Sequence, residues 1–229
     1  MFLQGYGALI LEGTFATIKL ALLSMLLAVS LGLIGASAKL SNLRLLRVLA
    51  TGYTTLIRSV PDLVIMLLLF YSLQMLLNVF TEWMHFEQID INPFAAGVFT
   101  LGFIYGAYFT ETFRGAFQSV PVGQLEAAIA YGMSRRKIFV RVLFPQMMRF
   151  ALPSIGNNWQ VLIKATALVS IIGLIDIVKV TQDAGKHSMQ LFYFSLIGAL
   201  IYLAITTLSN GILMWLEHRY SAGVRGAQL

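Results

Sequence analysis

Five ionisable residues fall inside or beside long apolar stretches of this 229-residue chain: Arg58, Asp62, Glu111, Arg114 and Lys164. A charge at membrane depth is costly, so each is held there to handle an ion, a polar cargo or another charge. Arg58 and Asp62 are four apart and share a face if helical, with Pro61 between them near the inner entry of the second apolar stretch. Glu111 and Arg114 are three apart near the inner end of the third. Each pair reads two ways, as an internal ion pair that orients its helix or loop, or as a contact for cargo. Lys164 stands near the middle of a stretch that also carries Asn157, Asn158, Gln160 and Thr166, and it has no acid nearby. A span this polar must face protein or a water-filled cavity. Lys164 therefore lines a path, pairs with Glu111 of a neighbouring helix, or does both. A cargo carboxylate would suit Lys164, and a cargo cation would suit Asp62 or Glu111.

Composition narrows the setting. Only 11% of the residues are charged and 58% are hydrophobic, whereas a soluble domain is about a quarter charged. The solvent for most of the chain is lipid, and its length suits a single domain, 1–229. The absence of cysteine excludes disulfides and thiolate chemistry. The net charge of +6 sits in loops between apolar runs, with no basic tract interleaved with aromatics, so nucleic acid is not a partner. His85, His187 and His218 are isolated, so no metal site is expected. No GxxxxGK[ST] loop and no nucleophile motif occurs, so the chain is not expected to be an ATPase, a hydrolase or any other enzyme. No basic region precedes the first apolar run, which argues against a cleaved signal peptide.

The elements that must position these charges are five apolar runs, each long enough for the roughly 20 residues a crossing needs. They cover Leu20 to Ala38, Leu63 to Thr81, Ile91 to Thr110, Phe150 to Ile175 and the stretch from His187 to Leu216. The first loop carries Lys39, Arg44 and Arg47; the second carries Glu82, Glu87 and Asp90; the third carries Arg135, Arg136, Lys137, Arg141 and Arg149 against Glu126. The fourth is balanced, and the tail carries Arg219 and Arg225 against Glu217. Basic loops alternate with acidic or neutral ones, which predicts an outer N-terminus and a cytoplasmic C-terminus. Lys19 reads as a lysine snorkelling to the interface. Tyr6, Trp83, Tyr193 and Tyr220 fall near the predicted interfaces.

The segment of about 115–149 is the one loop long enough for structure of its own. Gln124 to Tyr131 are good helix formers, Gly132 can end that helix at positive φ, and Ser134 can cap a second helix through Ile138 and Val142 that Pro145 breaks or kinks. Ala127 and Ala128 would admit a partner backbone, and Glu126 would place a charge at the helix start. The residues alone also allow a connector lying on anionic head groups.

Glu126-Ala127-Ala128, then Gly132, then Val142-x-Phe144-Pro145 resembles the EAA loop of ABC importer membrane subunits, with Val142 and Phe144 where the family has Ile and Leu. Gly13-Thr14, Ile57-Arg58 with Pro61-Asp62, Tyr108 with Glu111 and Arg114-Gly115, Leu152-Pro153 with Asn157-Asn158, and Lys164 with Thr166 are similar to polar amino-acid permeases, above all Q-type subunits of histidine/lysine–arginine–ornithine transporters. The resemblance implies an all-α type I importer permease fold of five spans in the bacterial inner membrane, with the N-terminus periplasmic and coupling helices in the cytoplasm. It implies import of basic amino acids, ATPase coupling through Glu126, Ala127, Ala128, Gly132, Val142, Phe144 and Pro145, and a path drawing on Arg58, Asp62, Glu111, Asn157, Asn158, Lys164 and Thr166. Its partners would be an ATPase homodimer, which uses ATP and Mg while this chain binds no cofactor, an M-type membrane subunit and a periplasmic binding protein. Arginine/ornithine or other polar amino-acid permeases are the nearest alternative. A self-sufficient secondary transporter, which usually shows internal repeats and more spans, is the rival of another class.

Overall fold

The structure, a computed structural model, describes Leu3 and residues 5–221; Arg225 of the predicted cytoplasmic tail lies outside the described residues, while Glu217 and Arg219 lie within them. The described residues form α1 (Gly7–Leu40), α2 (Arg44–Ser59), α3 (Asp62–Trp83), α4 (Pro93–Gln118), α5 (Val122–Ala130), α6 (Arg135–Ile138), α7 (Phe144–Ala165), α8 (Ile177–His187) and α9 (Leu191–Ser221). A π turn over Phe139–Leu143 joins α6 to α7, and a 3-10 turn over Thr166–Ile172 extends α7, so 135–172 is one continuous rod. Five helical segments among the described residues are long and apolar enough to cross a membrane, as the five apolar runs predict.

The core is a seam between the parallel helices α1 and α4. The buried face of α1 carries Gly13, Thr17, Ala21, Ser24, Ala28, Gly32 and Ala36, a row of small residues three or four apart. Lipid offers no hydrophobic drive between helices, so close packing of small residues supplies the association. A side chain on Gly32 would strike Phe109, and one on Gly35 would strike Thr110; from α4, Gly102 sits under Leu27 and Gly106 under Leu31. Leu22, Leu23, Leu26 and Ile34 point the other way and are exposed, as lipid contact requires. Asn92 caps α4 by accepting from Phe94 N at 2.8 Å, and Pro93 opens the helix where its missing N–H costs nothing.

Several expectations change. The basic first loop is largely a helix, α2, amphipathic and packed on α1 and α4. Its apolar positions alternate with Arg44, Arg47 and Arg58, so no run of span length marks it in the sequence. The first span starts at Gly7 rather than Leu20, taking in Glu12 and Lys19, both exposed. At 34 residues α1 is about 50 Å long, well beyond a hydrocarbon core of about 30 Å, so its first turns can project past the apolar layer. The balanced fourth loop contains α8, capped by Asp176, whose carboxylate accepts from Lys179 N at 2.8 Å. Gln74 of α3 pins the returning α3–α4 loop, accepting from Ile91 N at 2.8 Å and donating to Ile89 O at 2.9 Å.

Candidate functional site

The coupling segment has the first helix, the glycine break and the second helix that its residues suggest, with four corrections. α5 ends in a reciprocal pair of bonds, Met133 N to Ala128 O at 3.1 Å and Gly132 N to Ile129 O at 2.9 Å, with Gly132 at φ +70°. The left-handed turn is the one place here where glycine is needed. The second helix is not a separate short piece, because it runs on into the rod. Pro145 does not break it: the turn before the proline widens to π, with Phe144 N bonding to Phe139 O, which accommodates the missing N–H and the ring. Glu126 lies in the second turn of α5 rather than at its start, since the helix begins at Val122. Ser134 occupies the N-cap position without a side-chain bond. Ala128 is turned inward and buried, whereas Glu126, Ala127, Ala130 and Tyr131 face outward beside exposed Val122 and Ile129. The outward face of α5 is thus smooth and apolar around one carboxylate. Of the other motif residues, Phe144 is exposed while Val142 and Pro145 are half-buried.

The second feature is a break in the chain level with the middle of α4. Between α2 and α3 the residues Val60 and Pro61 are extended, and Asp62 starts α3. Tyr105, midway along α4, donates a hydrogen bond to an Asp62 carboxylate oxygen at 3.0 Å. Arg58 does not pair with Asp62; its guanidinium lies over the Tyr108 ring, 5.4 Å from the centroid. The helix break between the two separates them, so the shared face expected for positions four apart does not exist. Both residues sit level with the middle of α4, and Asp62 opens the second apolar helix, as expected for its entry. Ser59, Val60 and Pro61 are exposed on the chain. Non-helical backbone is tolerated at this depth only against protein or a water-filled cavity. Asp62 stands in the first turn of α3, where the helix dipole favours a negative charge.

Glu111 is committed elsewhere. One carboxylate oxygen holds Lys39 of α1 in an ion pair, and the other takes Arg114 at 2.9 Å. Lys164 therefore does not pair with Glu111. Asn158 is buried and donates to Thr112 at 3.1 Å. Lys164 lies about 9 Å further along α7, and Tyr105 lies about 10 Å back along α4 from Thr112, so Lys164 is carried at the depth of Tyr105 and Asp62. Its ammonium has no hydrogen-bond or ion-pair partner among the described residues and lines a cavity of about 370 Å³ with Thr181, Gln182, Ser195 and Tyr202. Asn157 and Ser154 are exposed on α7 at helical spacing from Lys164. Thr166 is buried, bonded to Ile163 O at 2.7 Å and near the Tyr202 hydroxyl at 3.3 Å. Sequence reasoning missed Tyr105, whose only signal was a polar tip on an otherwise apolar span, and gave Tyr108 no site role although it stands in the family resemblance.

Comparison with known proteins places this geometry. The family described as "binding-protein-dependent transport system inner membrane component" matches residues 15–222. The histidine/lysine/arginine/ornithine transport system permease protein HisQ of Escherichia coli (strain K12) is 59% identical over 227 residues, covering 99% of this chain and 100% of that protein. The arginine ABC transporter permease protein ArtQ of the same organism is 36% identical over 216 residues, covering 89% of this chain and 91% of that one. A crystal structure of an amino acid ABC transporter with histidines superposes with a TM-score of 0.79 at 30% identity, covering 93% of this chain and 95% of that one.

Proposed function

The chain belongs to the binding-protein-dependent transport inner-membrane components, and on that premise we propose that it is the Q-type membrane subunit of an ATP-driven importer of basic amino acids. The observation that carries the reading is the 59% identity, over 99% of the chain, to a protein named for transport of histidine, lysine, arginine and ornithine. The chain is a transport component, not the ATPase, and its place is the inner membrane. ATP and Mg belong to a partner ATPase pair. A five-span chain supplies half of a path, and a second, M-type membrane subunit supplies the rest.

The end bearing α5 and α6 faces the cytoplasm, in line with its Lys39, Arg44, Arg47, Arg135, Arg136 and Lys137. The outward face of α5, with Glu126 and Ala127 at its centre, seats in the ATPase. Gly132 and Ala128 shape that helix from behind, and Val142, Phe144 and Pro145 fix where the rod leaves it. A periplasmic binding protein delivers cargo at the opposite end. Cargo crosses where the α2–α3 break presents Arg58 and Asp62 at the level of Lys164, with Asn157 about two turns away along the exposed polar row of α7. Asn158 and Thr166 set the wall behind. With Glu111 held by two cations, Asp62 is the carboxylate left for a cationic side chain, and Lys164 the ammonium left for the α-carboxylate. ATP binding acts through the differential contact of the knob in two states.

The test is the reconstituted complex, with ATPase, second membrane subunit and binding protein, assayed for cargo-stimulated ATP hydrolysis over histidine, arginine, lysine, ornithine, glutamine and glutamate. Stimulation by the basic members is expected. Stimulation confined to glutamine or glutamate would overturn the specificity, and uptake persisting without the ATPase would overturn the class.

A further inference from the structure

We propose that Glu111 is a positioning residue that ties the ATPase-facing α5–α6 knob to the α2–α3 break, its carboxylate joining the ends of α1 and α4 to α2. This rests on the importer reading above. The carboxylate is 19% exposed, and its two oxygens are divided between helices, Lys39 of α1 on one and Arg114 of α4 on the other. Removing a partly buried carboxylate from water is unfavourable, and a single partner offsets that cost only with good geometry; here two cations share it.

Each cation then reaches outward. Arg114 Nη1 donates to Gln118 Oε1 at 2.7 Å, and Gln118 is the last residue of α4. Three residues separate it from Val122, where α5 begins, and the link between them is short and stiff. Val120 is 4% exposed and part of the main core, and Pro121 fixes the backbone before Val122. A displacement of α5 is therefore passed to the end of α4 instead of being absorbed in a loop. On the other side, Lys39 Nζ donates to Thr54 Oγ1 at 2.6 Å, and Thr54 is buried in the face of α2. Arg58 is one helical turn further along α2, and the break follows it. Between these groups lies a cavity of about 470 Å³ lined by Lys39, Thr54, Arg58, Ser59, Tyr108 and Glu111, so the end of α2 has room to move. A contiguous set of bonded side chains thus connects the knob to the element whose two arrangements would open and close the path.

The experiment uses the full complex in proteoliposomes and reads two quantities against wild type: ATP hydrolysis without binding protein, and cargo moved per ATP hydrolysed. Glu111→Gln is expected to leave the first within twofold and lower the second at least tenfold. Thr54→Val, which keeps both ion pairs and unhooks α2, is expected to lower cargo per ATP in the same direction with assembly intact, and it carries the test if Glu111→Gln fails to assemble. A ratio unchanged in Thr54→Val, or in an assembled Glu111→Gln, overturns the proposal, as does a parallel fall of hydrolysis and uptake. Wild type failing to couple hydrolysis to uptake of any basic amino acid would instead overturn the importer reading.

Discussion

The Tyr105 hydroxyl donates to Asp62 across 3.0 Å, joining the middle of α4 to the first residue of α3 at the point where the second crossing is broken. That bond orients the carboxylate, and under the proposed function it would do so before cargo arrives. Tyr105→Phe removes the donor and leaves the ring packed. A hydrogen bond to a charged group contributes about 1.5–3 kcal/mol, so the KM for transport should rise about tenfold or more, with complex yield unchanged. Asp62→Asn should abolish transport of lysine and arginine in the same assay.

Lys164 provides a second check. Its ammonium lines a mostly apolar cavity and has no anionic partner among the described residues. Lys164→Met should lower uptake strongly without loss of the assembled complex, read by co-purification of the ATPase. Unchanged uptake with unchanged assembly would remove Lys164 from the path.

Ala127 and Ala128 are neighbours with opposite surroundings, one exposed and one 5% exposed. Ala127→Tyr should therefore detach the ATPase, seen as loss of co-purification, while the membrane subunit keeps its melting temperature. Ala128→Leu should overpack the seat of α5 on the π turn, at a cost of about 1–3 kcal/mol. It should lower the melting temperature before it alters docking.

Asp176 gives a pH signature. It is fully buried, Oδ2 makes no hydrogen bond, and burial pushes its pKa up from 3.8 to about 6 despite the bonds from the α8 backbone. Between those values the folded protein holds a proton that the unfolded chain has released, so stability falls as pH rises through this window and levels off above about 6. From pH 7 to pH 5 the protein should gain about 1 kcal/mol, or about 2–4 °C in Tm. Asp176→Asn keeps an acceptor for the cap and should flatten the slope.

Much of this was legible in the residue order. The five crossings, the break at Gly132 and the helices on either side of it follow from apolar run length and from glycine and serine placement. The partner of Asp62 was not legible, because nothing in Arg58-Ser-Val-Pro-Asp62 points to Tyr105 on another helix. The partner of Glu111 was equally hidden. Lys39 and Lys164 are both cations on neighbouring spans, and only the parallel register of α1 and α4, fixed by glycines at 32, 35, 102 and 106, brings Lys39 within reach. The π turn before Pro145 was missed because a proline inside a helix is read as a stop, although a widened turn relieves the same clash.

The glycine-lined seam between α1 and α4 also bears on how the chain is made. The first span to leave the ribosome has its mate in the third, and α2 and α3 are synthesised between them. Until α4 emerges, Gly32 and Gly35 have no surface to close against, so the nascent N-terminal half must wait in the bilayer, or against the insertion machinery, with that part of its narrow face uncovered. A ribosome stalled shortly before Pro93 would therefore hold an inserted but unmated helix, open to membrane proteases, whereas one stalled past Gln118 would hold a protected pair.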